Sequence, residues 1–224
     1  MKIKLLLIAF TLALLSCTKD TIQEVEKIID IDGNIYETVK IGEQIWMTQN
    51  LKTTTFNDGE PIKSSPWASN EGRYQWASTN DLNNAVDFDI PSDYYGVIYN
   101  FAAINSGKLA PKGWRVATLE DWKQLISNVK ENGYANRDAF ALKSDSGWFN
   151  NGHGDNVFGF NALPAGYVDT FGTPKVDGII ANWGTKNQLN QFTYETVSLL
   201  YDTDKTFIGS STLSFGTSVR CIKE

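Results

Sequence analysis

The fold is decided by residues 111–122, PKGWRVATLEDW, which predict a turn, a short strand and the first turn of a helix, in that order. Pro111 and Gly113 break regular structure and mark the turn. Thr118 is well placed as the helix N-cap, because its hydroxyl can accept a hydrogen bond from the amide of Asp121. The stretch therefore predicts a strand that passes directly into a helix.

The helix that begins here is amphipathic. Its apolar residues recur at three- and four-residue steps, which places them on one face. They are Leu119, Trp122, Leu125, Ile126 and Val129. Two acids in the first turn suit the exposed amides of a helix N-terminus, and Asn132-Gly133 supplies the stop. No other segment after the leader has so clear a pattern, so we expect the sheets to pack against this helix.

The amino terminus has the pattern of an export signal. Two lysines precede an apolar run at residues 5–15, which is too short for an ordinary membrane span and matches a secretory signal. The run ends in residues 14–17, LLSC, which resemble the lipobox of bacterial lipoproteins. This resemblance implies that residues 1–16 are cleaved and that Cys17 is acylated, and two or more acyl chains anchor a protein stably. The alternative is a soluble export signal followed by a chance cysteine.

The leader also sets the expected domain organisation and location. Residues 17–29 are predicted to be a tether and residues 30–224 a single domain, since roughly 200 residues are enough for one large core. The protein is expected to be exported and lipid-anchored through Cys17 to the bacterial cell envelope. That places it at the outer membrane, on the periplasmic or the surface face.

The two cysteines and the net charge narrow the class of protein. If Cys17 carries lipid, Cys221 has no partner for a disulfide, and its position in an extended run predicts a buried thiol. The formal charge of the chain is -6, and loss of Lys2 and Lys4 with the leader lowers it by two. Such an acidic protein has no basic surface to neutralise phosphates, so no nucleic acid partner is expected.

Alternating and apolar segments predict further elements. They are strands at 35–41 and 44–47 joined at Gly42-Glu43, a run at 96–104, a short helix at 137–143, a hairpin of 193–201 and 205–208, and a closing strand at 218–223. The run at 96–104 fits a buried strand or a short helix, and we favour a strand that turns helical at Asn100. In the first strand, Ile35 and Ile41 are expected on one face and Tyr36 on the other.

Two regions are predicted to be loops. Residues 147–184 hold eight of the eighteen glycines, which predicts loops crossed by short strands. Residues 51–95 are long and aperiodic, which is typical of a binding loop or an insertion. Its later part contains Asp81, Asp87, Asp89 and Asp93, and their loose spacing favours a solvated loop over a metal site. The turn at residues 30–34 lacks the closing Glu of a calcium loop, so no metal is predicted there.

Five separated motifs resemble one known family. They are DGN and IWMTQNL within residues 32–51, YGVIYN at 95–100, GWRV and DW within 113–122, FGFNALPAGY at 158–167, and SVRC at 218–221. In this order they resemble the Fibrobacter succinogenes major paralogous domain, a family of exported bacterial domains often found on lipoproteins. The resemblance covers residues 30–224.

The resemblance carries expectations about the fold. The family looks like a distant relative of the C-type lectin-like fold shared with formylglycine-generating enzymes, which implies strands from both ends of the chain lying side by side. We therefore expect an α+β, C-type lectin-like fold of twisted antiparallel sheets with one main helix and long Gly-rich loops. Family membership implies no established activity, and a fold alone does not imply function.

An enzyme is the first functional hypothesis, and little in the sequence supports it. The oxidase branch of the fold needs redox-active cysteine, whereas Cys221 lies in a predicted core strand. A Ser-His-acid triad would need His153, the only histidine, which lies in a loop without a nucleophile elbow. Two carboxylates suited to glycoside hydrolysis could meet in the fold, although no spacing points to them. We expect no catalytic residue, no metal and no cofactor.

A binding module is the second hypothesis. Tryptophan offers a flat apolar face with a polar rim, which could stack on a sugar. Four tryptophans in loop-like contexts are the candidate ligand-binding residues: Trp67, Trp76, Trp148 and Trp183. The motifs of calcium-dependent lectins are absent, since Glu60-Pro61 is followed by Ile62 and Trp183 by Gly184. We expect a non-catalytic domain that binds glycans without calcium. The alternative is a structural or adhesive lipoprotein that binds another envelope protein.

Overall fold

The computed structural model describes residues 27–64, 66–67, 69–78, 91 and 93–224. Predictions about the signal at residues 1–16, the lipid site Cys17 and the acids Asp81, Asp87 and Asp89 lie outside these residues. Within the described ranges, no helix combines the length and the hydropathy that a bilayer crossing requires.

The described chain is rich in short strands and has few helices. The strands are β1 (Ile28–Ile29), β2 (Ile35–Tyr36), β3 (Thr38–Ile41), β4 (Gln44–Met47), β5 (Tyr74–Trp76), β6 (Val97–Asn100), β7 (Trp114–Val116), β8 (Tyr167–Val168), β9 (Pro174–Lys175), β10 (Ile180–Gln188), β11 (Thr193–Leu200), β12 (Phe207–Thr212), β13 (Gly216–Thr217) and β14 (Cys221–Lys223). The helices are α1 (Phe101–Ile104), α2 (Leu119–Val129) and α3 (Asp138–Leu142), with a π-helical turn at Lys130–Tyr134 and a 3-10 turn at Phe149–Asn151. This content is the sheet-rich α+β class that the sequence predicts.

The described strands form antiparallel sheets. Their orders are β1-β2, β3-β4-β14-β7, β5-β6-β13-β8-β9 and β10-β11-β12. In the four-stranded sheet the last strand of the chain lies between two early ones, with Ile222 opposite Trp46 on one side and Arg115 on the other. Strands from the two ends of the chain therefore lie side by side, as expected.

Helix α2 forms as the sequence predicts. The Thr118 hydroxyl accepts a hydrogen bond from the Asp121 amide at 3.3 Å, and the Asp121 carboxylate accepts one from the Thr118 amide at 2.7 Å. These two bonds make a capping box. The predicted apolar face is buried. Beyond Val129 the helix widens into the π-helical turn, and it stops where Gly133 adopts a φ of 100°.

An aromatic cluster joins this helix to the sheets. Trp122 of α2 lies 5.1 Å from Trp46 of β4, 5.6 Å from Phe160 and 5.0 Å from Trp183 of β10, measured between ring centroids. All four side chains are buried. Aromatic pairs at such distances stabilise a core beyond the burial of their area. The cluster therefore holds α2, the four-stranded sheet and the three-stranded sheet together.

The predicted change from strand to helix at Asn100 is confirmed. The Asn100 side-chain oxygen accepts a hydrogen bond from the Ala103 amide at 3.1 Å, so α1 begins directly after β6. The predicted hairpins are confirmed as well, since β3 pairs with β4 and β11 pairs with β12. The short helix α3 lies within the predicted 137–143 segment.

The longest described strand, β10, differs from the prediction. Its first residues fall in the Gly-rich stretch, where loops crossed by short strands were expected, and it runs for nine residues. Gly184 lies inside this strand, where a Cβ would approach Thr217 Oγ1 to 2.5 Å and Ile104 Cδ1 to 2.6 Å. A glycine is required at this position because neighbouring elements pack closely against the strand, and not because the chain turns there. The local sequence does not indicate such packing.

The boundary of the predicted tether at residues 17–29 also shifts. Ile28 pairs with Tyr36 and Ile29 pairs with Ile35, so β1 belongs to the folded body. Ile35 and Tyr36 lie on opposite faces as expected, since Tyr36 is buried and Ile35 is 56% exposed. The predicted strand 35–41 is divided into β2 and β3, however, and Ile41 is buried whereas Ile35 is exposed. Tyr36 lies inward because its hydroxyl donates a hydrogen bond of 2.6 Å to the Asp30 carboxylate.

Candidate functional site

A groove of about 720 Å³ lies at one end of the three-stranded sheet. It is lined by residues 69–70 ahead of β5, by the turn between β10 and β11, by the chain that follows β12, and by the start of α1. The lining residues are Ser69, Asn70, Phe101, Ala102, Gln188, Gln191, Phe192, Thr212, Leu213 and Ser214. A cavity of this size is typical of sites that bind small molecules.

The turn between β10 and β11 displays an aromatic ring at the groove. The Asn190 side-chain oxygen accepts hydrogen bonds from the amides of Phe192 at 2.8 Å and Thr193 at 3.1 Å. The Leu189 amide donates to the Thr193 carbonyl at 2.9 Å and closes the turn. These bonds fix the backbone while the Phe192 side chain stays 66% exposed.

The floor of the groove is held by the N-cap of α1. The Asn100 side-chain oxygen accepts a hydrogen bond from the Arg73 amide at 2.8 Å, and its amide group donates to the Glu71 carbonyl at 2.9 Å. Asn100 therefore ties the segment that carries Asn70 to the start of α1. Phe101 is buried beneath, with its ring 4.7 Å from the ring of Tyr194.

The segment after β12 forms the third wall, and Trp67 supports it from behind. Trp67 Nε1 donates a hydrogen bond of 2.8 Å to the Ser214 carbonyl. The Leu213 amide donates to the Phe192 carbonyl at 3.0 Å, which joins this wall to the aromatic turn. Trp67 also lies against Gly172 and Gly216, where a Cβ would come within 2.8 Å and 2.4 Å of its atoms. The wall is therefore built on a packed indole.

The chemistry of the groove is neutral and polar. The lining side chains that can hydrogen-bond are amides and hydroxyls: Ser69, Asn70, Gln188, Gln191, Thr212 and Ser214. Together they offer both donors and acceptors. None of the lining residues is ionisable. The groove therefore suits an uncharged ligand that has hydroxyl groups and an apolar face.

The four candidate tryptophans do not form one exposed surface, which corrects the sequence prediction. Trp67, Trp148 and Trp183 are buried, with exposed fractions of 7%, 3% and 0%, and Trp76 alone among the four is exposed, at 40%. Trp76 ends β5 and does not line the groove. Stacking faces on the three buried indoles are therefore not available to a ligand.

Each buried indole also has its polar N–H satisfied inside the protein. Trp183 lies in β10 rather than in a loop, and its Nε1 donates to the side-chain oxygen of Asn50 at 2.8 Å. Trp148 Nε1 donates to the Ser144 hydroxyl at 3.0 Å. The ammonium group of Lys143 lies 4.9 Å from the centre of the Trp148 ring. These contacts explain why polar-looking loop contexts hold core side chains.

Sequence reasoning missed the groove residues themselves. Phe192, Gln188 and Gln191 lie beside Asn190, a residue that favours turns, between two strand-forming segments. A second signal is the run 206–219, which contains no charged residue and includes the wall at 212–214. Neither signal indicates a site until the turn and the wall are brought together in space.

Arg220 organises the buried centre behind the aromatic cluster. Its guanidinium donates hydrogen bonds to the carbonyls of Met47 at 2.9 Å, Phe160 at 2.7 Å and Asn161 at 3.2 Å. Its Nε donates to the Asn50 side chain at 3.3 Å, and its charge lies over the Phe160 ring at 4.4 Å. Burial lowers the pKa of Arg220 to about 9. This network is a structural centre, since it has no access to solvent.

Two further reactive side chains, Cys221 and Lys143, are also buried. Cys221 is buried, as predicted, and burial raises the pKa of its thiol to about 12. Burial lowers the pKa of Lys143 to about 8, with the carboxylates of Asp204 and Asp202 acting in the opposite direction. Lys143 Nζ donates to the carbonyls of Gly152 at 3.0 Å and Thr203 at 2.9 Å, so it closes two loops.

His153 lies in a second, smaller depression. Its lining residues are Arg137, Phe140, Asn150, Asn151, Gly152, His153, Tyr201, Asp202 and Asp204. No serine is among these described residues, and Arg137 Nε donates to the Asp204 carboxylate at 3.0 Å. The arrangement that a Ser-His-acid triad requires is therefore not present in this depression.

The turn at residues 30–34 is held by hydrogen bonds to the carboxylate of Asp30. Asp30 accepts hydrogen bonds from the amides of Asp32 at 3.0 Å and Asn34 at 2.9 Å, in addition to the Tyr36 hydroxyl. Among the described residues, no three His, Cys, Asp or Glu side chains are grouped so that they could hold a metal ion. This carboxylate therefore shapes a turn.

The fold and the groove define a sheet-rich α+β domain with an uncharged surface site. The chain belongs to the Fibrobacter succinogenes major domain family, because the model of that family matches residues 39–223. Neither the curated proteins nor the solved structures yielded a match to the chain.

Proposed function

We propose that this protein is a lipid-anchored, non-catalytic binding protein of a bacterial cell envelope, and that its groove binds neutral glycans without calcium. The observation that carries the proposal is the groove, which is uncharged and places an exposed Phe192 ring beside amide and hydroxyl side chains. The lipobox-like residues 14–17 support the anchor at Cys17.

A neutral sugar matches this groove in two ways. Its hydroxyl groups both donate and accept hydrogen bonds, as the side chains of Asn70, Gln188 and Gln191 do. Its ring presents C–H groups that pack on an aromatic face, and Phe192 provides such a face. A charged ligand would lose hydration without gaining a countercharge from the lining residues.

The same lining supports a binding role rather than catalysis. General acid-base chemistry needs a titratable side chain within hydrogen-bond reach of the reacting atoms. The residues that line the groove are amides, hydroxyls and apolar side chains. The groove can hold and orient a ligand, and it has no group that would exchange a proton with it near neutral pH.

The C-type lectin-like fold belongs to this proposal as well. It is supported by the family, by the pairing of β14 with β4 and β7, and by one main helix packed on antiparallel sheets. Calcium-dependent members of that fold class use sugar-binding motifs that are absent from this sequence. The proposed binding is therefore expected to persist in EDTA.

A glycan array with purified protein tests the groove. We expect selective binding to neutral glycans, at least tenfold weaker binding for Phe192→Ala and Gln191→Ala, and unchanged binding in EDTA. Phe171→Ala is the matched control, because Phe171 is 90% exposed and lies outside the groove. A flat array, or equal loss with Phe171→Ala, would contradict glycan binding in the groove. A flat array combined with capture of an envelope protein would favour the adhesive alternative.

Metabolic labelling with a radioactive or clickable palmitate tests the anchor. We expect label on the wild-type chain, loss of label in Cys17→Ser, and retained label in Cys221→Ser. The second variant is the control, because Cys221 is buried inside the domain. A chain that is exported without label would show a soluble export signal instead.

A further inference from the structure

The outer edge of the three-stranded sheet is open among the described residues. Strand β12 pairs with β11 on its inner side in a continuous register from Ser198 opposite Phe207 to Thr193 opposite Thr212. No described strand pairs with its other side. In an antiparallel strand, alternate residues direct their N–H and C=O groups to each side, so this edge presents unpaired backbone groups.

The edge also lacks the features that usually protect such strands. Proteins guard open edges with charged side chains, proline or bulges. Residues 206–219 contain no charged residue and no proline, and the pairing of β12 shows no shift in register. Phe207 and Ile208 are each 48% exposed. The edge is therefore chemically suited to pair with another strand.

Gly209 in the middle of β12 points to the same conclusion. Its backbone is not left-handed, and an added Cβ would meet Thr196 Oγ1 at 3.9 Å and nothing closer. The packing of this chain therefore does not require a glycine there. A glycine inside a strand weakens it and often marks the close approach of another backbone.

We propose that β12 pairs antiparallel with β12 of a second copy of this chain, around a twofold axis that passes through Gly209 or Ser210. Such an axis is perpendicular to the sheet, so the central residue of β12 lies opposite the same residue of the second copy. The two three-stranded sheets then form a single six-stranded sheet. Symmetric pairing brings any edge charge towards its own copy, and like charges opposite each other are destabilising. The uncharged edge meets this condition for self-pairing.

Cysteine scanning of the full chain tests this geometry. Residues directly opposite in an antiparallel pair have Cα atoms about 4.5–5.5 Å apart, within the range of a disulfide. We expect mild oxidation of Ile208→Cys, Gly209→Cys, Ser210→Cys and Ser211→Cys to give the most covalent dimer at Gly209 or Ser210. The yield should fall at least fivefold two residues away. Ser146→Cys, on a different exposed loop, controls for random collisions, and the wild-type chain controls for its own cysteines.

A charge placed on the edge provides the matched test. Ile208→Lys, combined with the best cross-linking cysteine, should lower the yield at least tenfold. Ile29→Lys is the control, since Ile29 is an exposed isoleucine on β1 and should leave the yield unchanged. A yield that is uniform along β12, equals that of Ser146→Cys, or survives Ile208→Lys would overturn the proposal. If the variants do not fold, the molecular mass of the wild-type protein in detergent tests the proposal instead. A mass equal to one copy of the chain would also overturn the dimer.

Discussion

Two regions of the molecule differ in where charge lies. The buried centre around Arg220 contains a cation, whereas the exposed end that carries the groove and β12 is uncharged. Arg220 is 1% exposed and carries a cation into the core, and no salt bridge among the described residues includes it. The surface run at residues 206–215 has no charge at all. Proteins generally show the reverse, with charge outside and apolar groups within.

The difference shows how each region avoids a large loss of hydration free energy. A buried cation is tolerated only when its donors are satisfied, and Arg220 has four oxygen acceptors and an aromatic face. An uncharged surface needs no such network, and it loses little hydration when a neutral ligand or a second strand covers it. The centre therefore specifies the fold, and the exposed end is left available for contact.

Removal of the buried cation should have the largest effect on stability. Arg220→Met leaves buried oxygen acceptors without a donor, each at roughly 1–3 kcal/mol, so we expect a loss of about 3–5 kcal/mol in the free energy of unfolding. Arg137→Met is the control, because Arg137 is half exposed and its ion pair with Asp204 is worth under about 1 kcal/mol. Urea denaturation measures both. Equal effects of the two substitutions would show that the buried network adds nothing special.

Substitution of the two tryptophans in the 51–95 region should give losses of stability that differ almost as much as those of the two arginine variants. Trp67→Ala removes a buried indole that supports the groove wall, so we expect a loss of about 3–5 kcal/mol together with weaker glycan binding. Trp76→Ala changes an exposed side chain and should cost less than about 1 kcal/mol. Thermal unfolding compares them, and a similar loss for both would refute the burial assigned to Trp67.

The cap of helix α2 should contribute a smaller, pH-dependent amount. Burial alone would raise the pKa of Asp121, but hydrogen bonds from Arg115 and Thr118 outweigh it, so the pKa lies below its ordinary 3.8. The ionised carboxylate therefore stabilises the fold above that value, and the contribution is lost as the pH falls through the folded-state pKa. Asp121→Asn should cost about 1–2 kcal/mol at pH 7.

The pH series supplies its own control. The difference between wild type and Asp121→Asn in urea denaturation should narrow as the pH falls below 3.8. The Arg115 side chain is 34% exposed, so solvent screens part of the ion pair and the expected loss of stability stays small. A difference that stays constant from pH 7 to pH 3 would mean that the charge of Asp121 is not what stabilises the cap.

The smallest effect on stability is expected at the groove itself. Phe192→Ala should change the free energy of unfolding by no more than about 0.5 kcal/mol, because its ring is 66% exposed. The same substitution should weaken the proposed binding at least tenfold. Calorimetry and the glycan array together measure both quantities. A large loss of stability would show that Phe192 belongs to the core, and the contrast between the two regions would then fail.

Local signals in the sequence were sufficient wherever the interacting groups are neighbours in the chain. The capping box of α2 links residues three apart, and the start of α1 at Asn100 does the same. The hairpin of β3 and β4 depends on a turn at Gly42. The identity of the family also followed from motifs in a fixed order.

Long-range packing decided what these signals could not. Gly184 looks like a loop residue but lies in β10, where Thr217 and Ile104 leave no room for a side chain. Trp183 looks exposed but is buried, because Asn50, distant in sequence, accepts its N–H. Burial depends on which segments of the chain pack together, and a single sequence does not reveal those long-range contacts.

By itself, then, the sequence determined the class of fold, helix α2, most hairpins and the family. Only the tertiary structure decided which tryptophans are buried, that β1 joins the folded body, and that the Phe192 turn and the wall after β12 form one groove with an open strand beside it. The physical reason is range. Caps and turns are fixed by contacts over a few residues, whereas exposure and sites arise from contacts between segments far apart in the chain.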